Sequence, residues 1–198
     1  MKDNIALALS ILAALVHIIA FCLYGRSMIK DKAHPNTAML VIWAFGSFIT
    51  LFNYDFVAND WLKESVALVD TVGCLAIFWI FVGRGKFDIK KLKNVDCMIV
   101  MADVVAIVIW QIYGSALIAY AVLQVSAALS IVPMCRQVWE GNEEEDTLVW
   151  FLWTSAYFIS GVVVVLRWEG VQDIIYQANY TLMHLAVAIV CVKKAKKA

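Results

Sequence analysis

The chain has 198 residues, 63% of them apolar, with a mean hydropathy of +0.79 and a formal net charge of zero. A soluble domain is about 45–50% apolar, so lipid is the natural solvent for most of this chain. Its balanced charge supplies neither the basic field that gathers nucleic acid nor an acidic field that gathers cations.

A helix needs about 20 mainly apolar residues to span hydrocarbon, and the first such stretch is residues 5–24. Only Lys2 precedes it among the basic residues and no small-residue cleavage pattern follows, so a retained helix is expected in place of a removed signal peptide. The second and third predicted spans are residues 38–54 and 65–82. A basic loop, Arg84 to Lys93, leads into the fourth at 97–113, and the short junction Gly114-Ser115 turns the chain directly into the fifth at 116–135. The acidic turn Glu143-Glu144-Glu145-Asp146 precedes the sixth at 147–166, and the seventh, 171–192, ends in a basic tail. An all-α membrane protein with seven transmembrane helices is the expected fold class.

Seven spans sort the cationic residues by face. One face receives Lys2, Lys63 and Arg167, and the other receives the remaining 13 of the 16 Lys and Arg. The positive-inside rule then places the N-terminus outside and the C-terminus in the cytoplasm of a plasma or inner membrane. The five cysteines include no CxxC pair and form no disulfide framework, which argues against thiol redox chemistry.

Sliding the chain on itself by 110 positions superposes Leu7 on Leu117, Arg26 on Arg136, Thr37 on Thr147, Trp43 on Trp153 and Thr71 on Thr181 without a gap. The boundaries of three helices coincide at that offset. Residues 1–83 therefore read as a first three-helix repeat, 84–114 as a basic cytoplasmic loop with a linker helix, and 115–198 as a second repeat with its basic tail. An odd repeat joined through one extra helix gives parallel repeats related by an axis along the membrane normal, an arrangement found in transporters.

The 3+1+3 order resembles the SWEET and PQ-loop superfamily. The stretch Val132-Pro133-Met134-Cys135-Arg136-Gln137, the acidic turn, and Trp150-Phe151-Leu152-Trp153 are similar to a degenerate PQ-loop motif. Gln does not follow Pro133, and Leu23 stands where the second repeat has Pro133. The spacing of Trp150 and Trp153 is also similar to a signature of the PnuC vitamin-precursor transporters, which continues to an Asn where this chain has Tyr157. The resemblance implies movement of a small, mostly uncharged solute, sugar-like or vitamin- and nucleoside-like, by alternating access between two bundles. It also implies a hinge at Pro133, and a polar side chain on the third helix of each bundle facing the substrate. Asn179 matches that position in the second repeat and Asp70 lies within one residue of it in the first.

Ionisable groups at bilayer depth cost roughly 2.5–3.5 kcal/mol on the insertion scale, so each needs a reason. Asp70 lies in the outer half of the third span, close to its middle, and His184 roughly 18 Å down the seventh. Asp70 either serves a solute site or hydrogen-bonds within its bundle. His17 and His184 are not repeated and read as packing residues or ligands, without a third group at metal-ligand spacing. Asp103, on the linker helix, reads as a structural partner for a nearby polar group. Trp43 and Trp153 share a repeat position and offer faces above and below a ring, with core packing the alternative. Asn53, Gln124 and Tyr157 would orient a solute or bridge helices. Trp61, Trp110, Trp139 and Trp168 fall near membrane ends as an aromatic belt.

No lysine occupies the middle of the last span, against a retinal protein, and no GxSxG, HExxH or carboxylate pair points to an enzyme. No cofactor is expected. The expected partners are the bilayer and a small-molecule substrate, with homo-oligomer formation open. The competing reading is a non-transporting receptor or assembly protein on the same fold, docking through its cytoplasmic acidic and basic loops.

Overall fold

The computed structural model describes residues 1–58, 60–92, 94–114, 116–140 and 145–195. They form seven α-helices: α1 Lys2–Ile29, α2 Thr37–Ala58, α3 Trp61–Gly83, α4 Asn94–Tyr113, α5 Ala116–Glu140, α6 Thr147–Leu166 and α7 Val171–Ala195. A single 3-10 turn, Ile89–Lys91, lies before α4, and there is no strand among the described residues. Five of the helices, α1, α3, α5, α6 and α7, are long and apolar enough to cross a membrane. The apolar stretches of the other two, Thr37–Phe52 and Cys97–Ile112, are shorter. The chain is an α-helical, multi-pass membrane protein.

Helix starts follow from side-chain caps. Asp60 accepts the Leu62 amide at 3.0 Å and Asp146 accepts the Leu148 amide at 3.2 Å, satisfying donors that a helix N-terminus otherwise leaves bare. The Asp60 cap starts α3 four residues before the apolar run implied. This carries Lys63 out of the predicted loop and into the first helical turn. At the other sharp reversal, Gly114 adopts φ +67°, open to glycine without strain, and lets α5 follow α4 almost immediately.

The packing order is symmetrical. Helix α3 lies between α1 and α2, α7 lies between α5 and α6, and the two sets meet where α1 packs on α6 and α2 packs on α5. Helix α4 sits outside, against α5 and α2. The inward face of α1 is Ala6, Ser10, Ala13, His17, Ala20 and Tyr24, all buried, while Ile11, Leu12, Leu15, Ile18 and Ile19 are exposed. Lipid tails solvate the large aliphatic side chains as well as a protein interior does, so small residues mark the contact face by letting backbones approach. Gly73 is such an approach in α3: a Cβ there would overlap the Phe21 ring of α1.

Candidate functional site

Five helices bring their polar and aromatic residues to one layer through helical spacing. Helix α1 contributes His17, Phe21 and Tyr24, α6 contributes Trp150, Trp153 and Tyr157, and α7 contributes Tyr176, Tyr180 and His184. Steps of three and four residues place each trio on one face. Helix α3 adds Asp70 and Cys74, and α2 adds Trp43.

Asp70 is the centre of the polar half. Tyr157 donates its hydroxyl to Oδ1 at 2.7 Å and Tyr176 donates to Oδ2 at 3.4 Å. His17 Nε2 stands 3.3 Å from Oδ1 and the Cys74 thiol 3.7 Å from the same atom. With its hydrogen on Nε2, the imidazole donates to the carboxylate, and Nδ1 remains a buried acceptor without a partner. A buried carboxylate ringed by donors keeps its charge at far lower cost than a bare one.

His184 is the centre of the aromatic half. Its Nδ1–H donates to the Tyr180 carbonyl at 2.7 Å. Its ring centroid lies 5.5 Å from those of Trp43, Trp150 and Trp153, 5.0 Å from Tyr157 and 6.0 Å from Tyr180. Trp43 and Trp153 read from the sequence either as faces above and below a ring or as core packing. They meet edge-on at 6.2 Å and 83°, and the rings of His184 and Trp150 each lie against both. Trp43 donates its indole N–H to Ser130 at 2.9 Å, whereas the buried N–H of Trp153 has no acceptor. The gap beside it, bordered by Phe21, Trp43, Cys74 and Ile77, is too narrow for a water molecule.

Polar contacts close the layer at both ends. At one end Lys63 of α3, fully buried, donates to Asp173 at 2.7 Å and to Glu169 at 2.8 Å. There Tyr54 donates to the Asp173 carbonyl at 2.9 Å, Gln177 donates to Tyr54 at 2.9 Å, and Arg167 pairs with Asp60 and Asp3. At the other end Tyr24 donates to Glu145 at 3.1 Å, Trp150 donates to it at 3.0 Å, Ser27 donates to Asp146 at 2.7 Å and Asn36 donates to Gln137 at 3.0 Å. Burial pushes the Glu145 carboxyl up to about 8, with the Trp150 and Tyr24 hydrogen bonds opposing the rise.

Of the residues proposed from sequence, Trp43, Asp70, Trp153, Tyr157 and His184 come together. Gln124 and Asn179 do not join them: Asn179 donates to the Gln124 carbonyl at 2.8 Å and to its Oε1 at 3.0 Å, a bridge between α5 and α7. The side chains of Asn53 and Pro133 lie outside the described residues. Asp103, read from the sequence as a structural partner for a nearby polar group, has the Ser126 hydroxyl beside it but no hydrogen bond of ordinary geometry to either carboxylate oxygen. Sequence reasoning passed over Tyr24, Tyr176 and Tyr180, and did not pair His17 with Asp70. The signal was present as Tyr176-Tyr180-His184 at successive steps of four and His17-Phe21-Tyr24 at steps of four and three. Trp61, Trp139 and Trp168 are exposed at helix ends, as an aromatic belt requires.

Fold and site together define a multi-pass α-helical membrane protein with a buried carboxylate and aromatic layer sealed at both ends. Set against known protein families, characterised proteins and solved structures, the chain matches none.

Proposed function

We propose that this protein is a membrane transporter of the SWEET/PQ-loop type, moving a small, mostly uncharged solute by alternating access between two three-helix bundles. In this reading all seven helices span the bilayer with the N-terminus outside. Helices α1–α3 and α5–α7 are the parallel repeats, and α4 is the linker. The packing order supports the repeats, because α1, α3, α2 exchange with α5, α7, α6, and the α1–α6 contact exchanges with the α2–α5 contact.

The observation that carries the transport reading is the Asp70 centre. It draws His17 from the first bundle and Tyr157 and Tyr176 from the second to one carboxylate between them. Beside it, the unpaired Trp153 N–H is a donor with no internal use, and buried donors without acceptors are rare. A solute with hydroxyl or carbonyl oxygens on a flat or puckered ring suits this set: aromatic faces for the ring, a donor at Trp153 and an acceptor at Asp70. The end contacts join one bundle to the other, so alternate rupture of the Lys63 and Glu145 ends opens the layer to one side at a time.

The test is a thermal-shift screen of the purified protein against sugars, nucleosides, vitamin precursors and amino acids, followed by flux in proteoliposomes. A ligand confined to the folded state must raise its stability. A saturable shift from one class, lost in Trp153→Phe and Asp70→Asn with both variants folded, is the expected result. No shift and no flux from any class would replace transport by the receptor or assembly reading.

A further inference from the structure

Among the described residues, Asp103 is the carboxyl deep within a span that the Asp70 layer does not use. It sits at the middle of α4, nine residues from Asn94 and ten from Tyr113, on a helix whose Met98, Met101, Val104, Val105 and Val108 are exposed. Asp103 itself is fully buried, on a helix packed against α5 and α2. Gly46 of α2 leaves room for it: a Cβ there would stand 4.0 Å from Oδ2. The Ser126 hydroxyl of α5 faces it without hydrogen-bonding geometry, and neither carboxylate oxygen has a partner.

Among the described residues, its surroundings contain no compensating charge. The side chain of Asp55 of α2 lies outside the described residues, and the charged residues of α5 are Arg136 and Glu140. Arg136, the nearer of the two, is ten residues along from Ser126. At 1.5 Å per residue this is an axial separation of roughly 15 Å. Among the other titratable groups, Tyr54, Tyr120 and Cys135 lie toward the ends of the same two helices, and Tyr180 of α7 makes no hydrogen bond to either carboxylate oxygen. An ionised carboxylate here would be desolvated with no cation and only the poorly placed Ser126 hydroxyl to offset the loss, whereas a neutral carboxylic acid loses little.

We propose that Asp103 is a proton-binding site, loaded while α4 is packed against the α2–α5 contact as it is here. That contact joins the first three helices to the last three, so parting them there admits water to Asp103 and lets its proton leave. The proton site stands on the burial and isolation of Asp103 alone. Its use in coupling proton movement to solute movement rests on the transport reading above.

Two measurements separate these claims. In protein carrying 13C-labelled aspartate carboxyls in lipid at neutral pH, the signal lost in Asp103→Asn is expected at the shift of a protonated acid. A lost signal at the carboxylate shift overturns the proton site. In proteoliposomes loaded with the solute that gives the thermal shift, Asp103→Asn is expected to retain exchange while losing at least tenfold of the acceleration that an inward proton gradient gives the wild type. Equal acceleration in both proteins overturns the coupling. Absence of flux in both proteins overturns transport itself, with the carboxyl spectrum still deciding the proton site.

Discussion

Replacing Lys63 by Met tests how the closed end of the molecule is held. Lys63 and Asp173 both have fully buried side chains, while Glu169, the second acceptor, is 67% exposed. The exposed partner contributes little in screened surroundings, so the loss is governed by Asp173. Without the ammonium, Asp173 Oδ2 retains only the Glu169 backbone N–H at 3.2 Å, and Oδ1 has no partner in any case. Breaking one side of a buried pair costs about 3–5 kcal/mol, chiefly from stranding the other charge. At about 2–4 °C per kcal/mol for a chain of this size, the melting temperature should fall by roughly 10 °C. The assay is tryptophan-fluorescence unfolding in detergent of wild type, Lys63→Met, Asp173→Asn and the double variant. Because the double variant strands no charge, it should be more stable than Lys63→Met. Two results refute the buried pair as the source of the loss. One is a Lys63→Met protein within about 1 kcal/mol of wild type, well short of the cost of a stranded charge; the other is a double variant that loses the sum of both singles.

Other consequences follow from the same geometry. Gly73→Ala drives a methyl into the Phe21 ring and should cost about 1–3 kcal/mol as an overpacked contact; Phe21→Leu in the same chain should return part of it in the same unfolding assay. Glu145 titrates near 8 when folded and near about 4.3 when unfolded. The folded state therefore holds a proton that the unfolded state lacks between those values, and this group makes stability fall as pH rises through that window, by at most about 1.4 kcal/mol per unit. A Glu145→Gln variant should flatten that part of the melting-temperature profile, and an unchanged profile would show the carboxylate already ionised when folded. Tyr157→Phe removes the shortest donor to Asp70 and should cost about 1–3 kcal/mol, read by the same unfolding measurement.

Charge position and apolar run length made the helices legible, because in lipid a chain must satisfy its backbone hydrogen bonds within each segment. All seven predicted segments are helices, and Asp60 and Asp146 cap the starts of α3 and α6. The faces were harder to read. A soluble helix marks its inner side with an apolar stripe, but α1 is apolar all round, and its inner side is marked by Ala6, Ser10, Ala13 and Ala20. Asp70, His184, Trp43, Trp153 and Tyr157 could each be singled out as out of place at depth. Lys63, by contrast, reads in sequence as a loop lysine beside the membrane.

The sequence by itself determined that this is a helical membrane protein, where its helices run, and which side chains are too costly at depth to be there without cause. Only the tertiary structure decided the partners: His17, Tyr157 and Tyr176 on Asp70, His184 among the tryptophans, Lys63 on Asp173, and nothing among the described residues on Asp103. Partnership depends on how each helix is rotated and how closely it approaches its neighbours. In lipid that is set by the packing of small residues and by polar contacts between helices, which no single segment specifies alone.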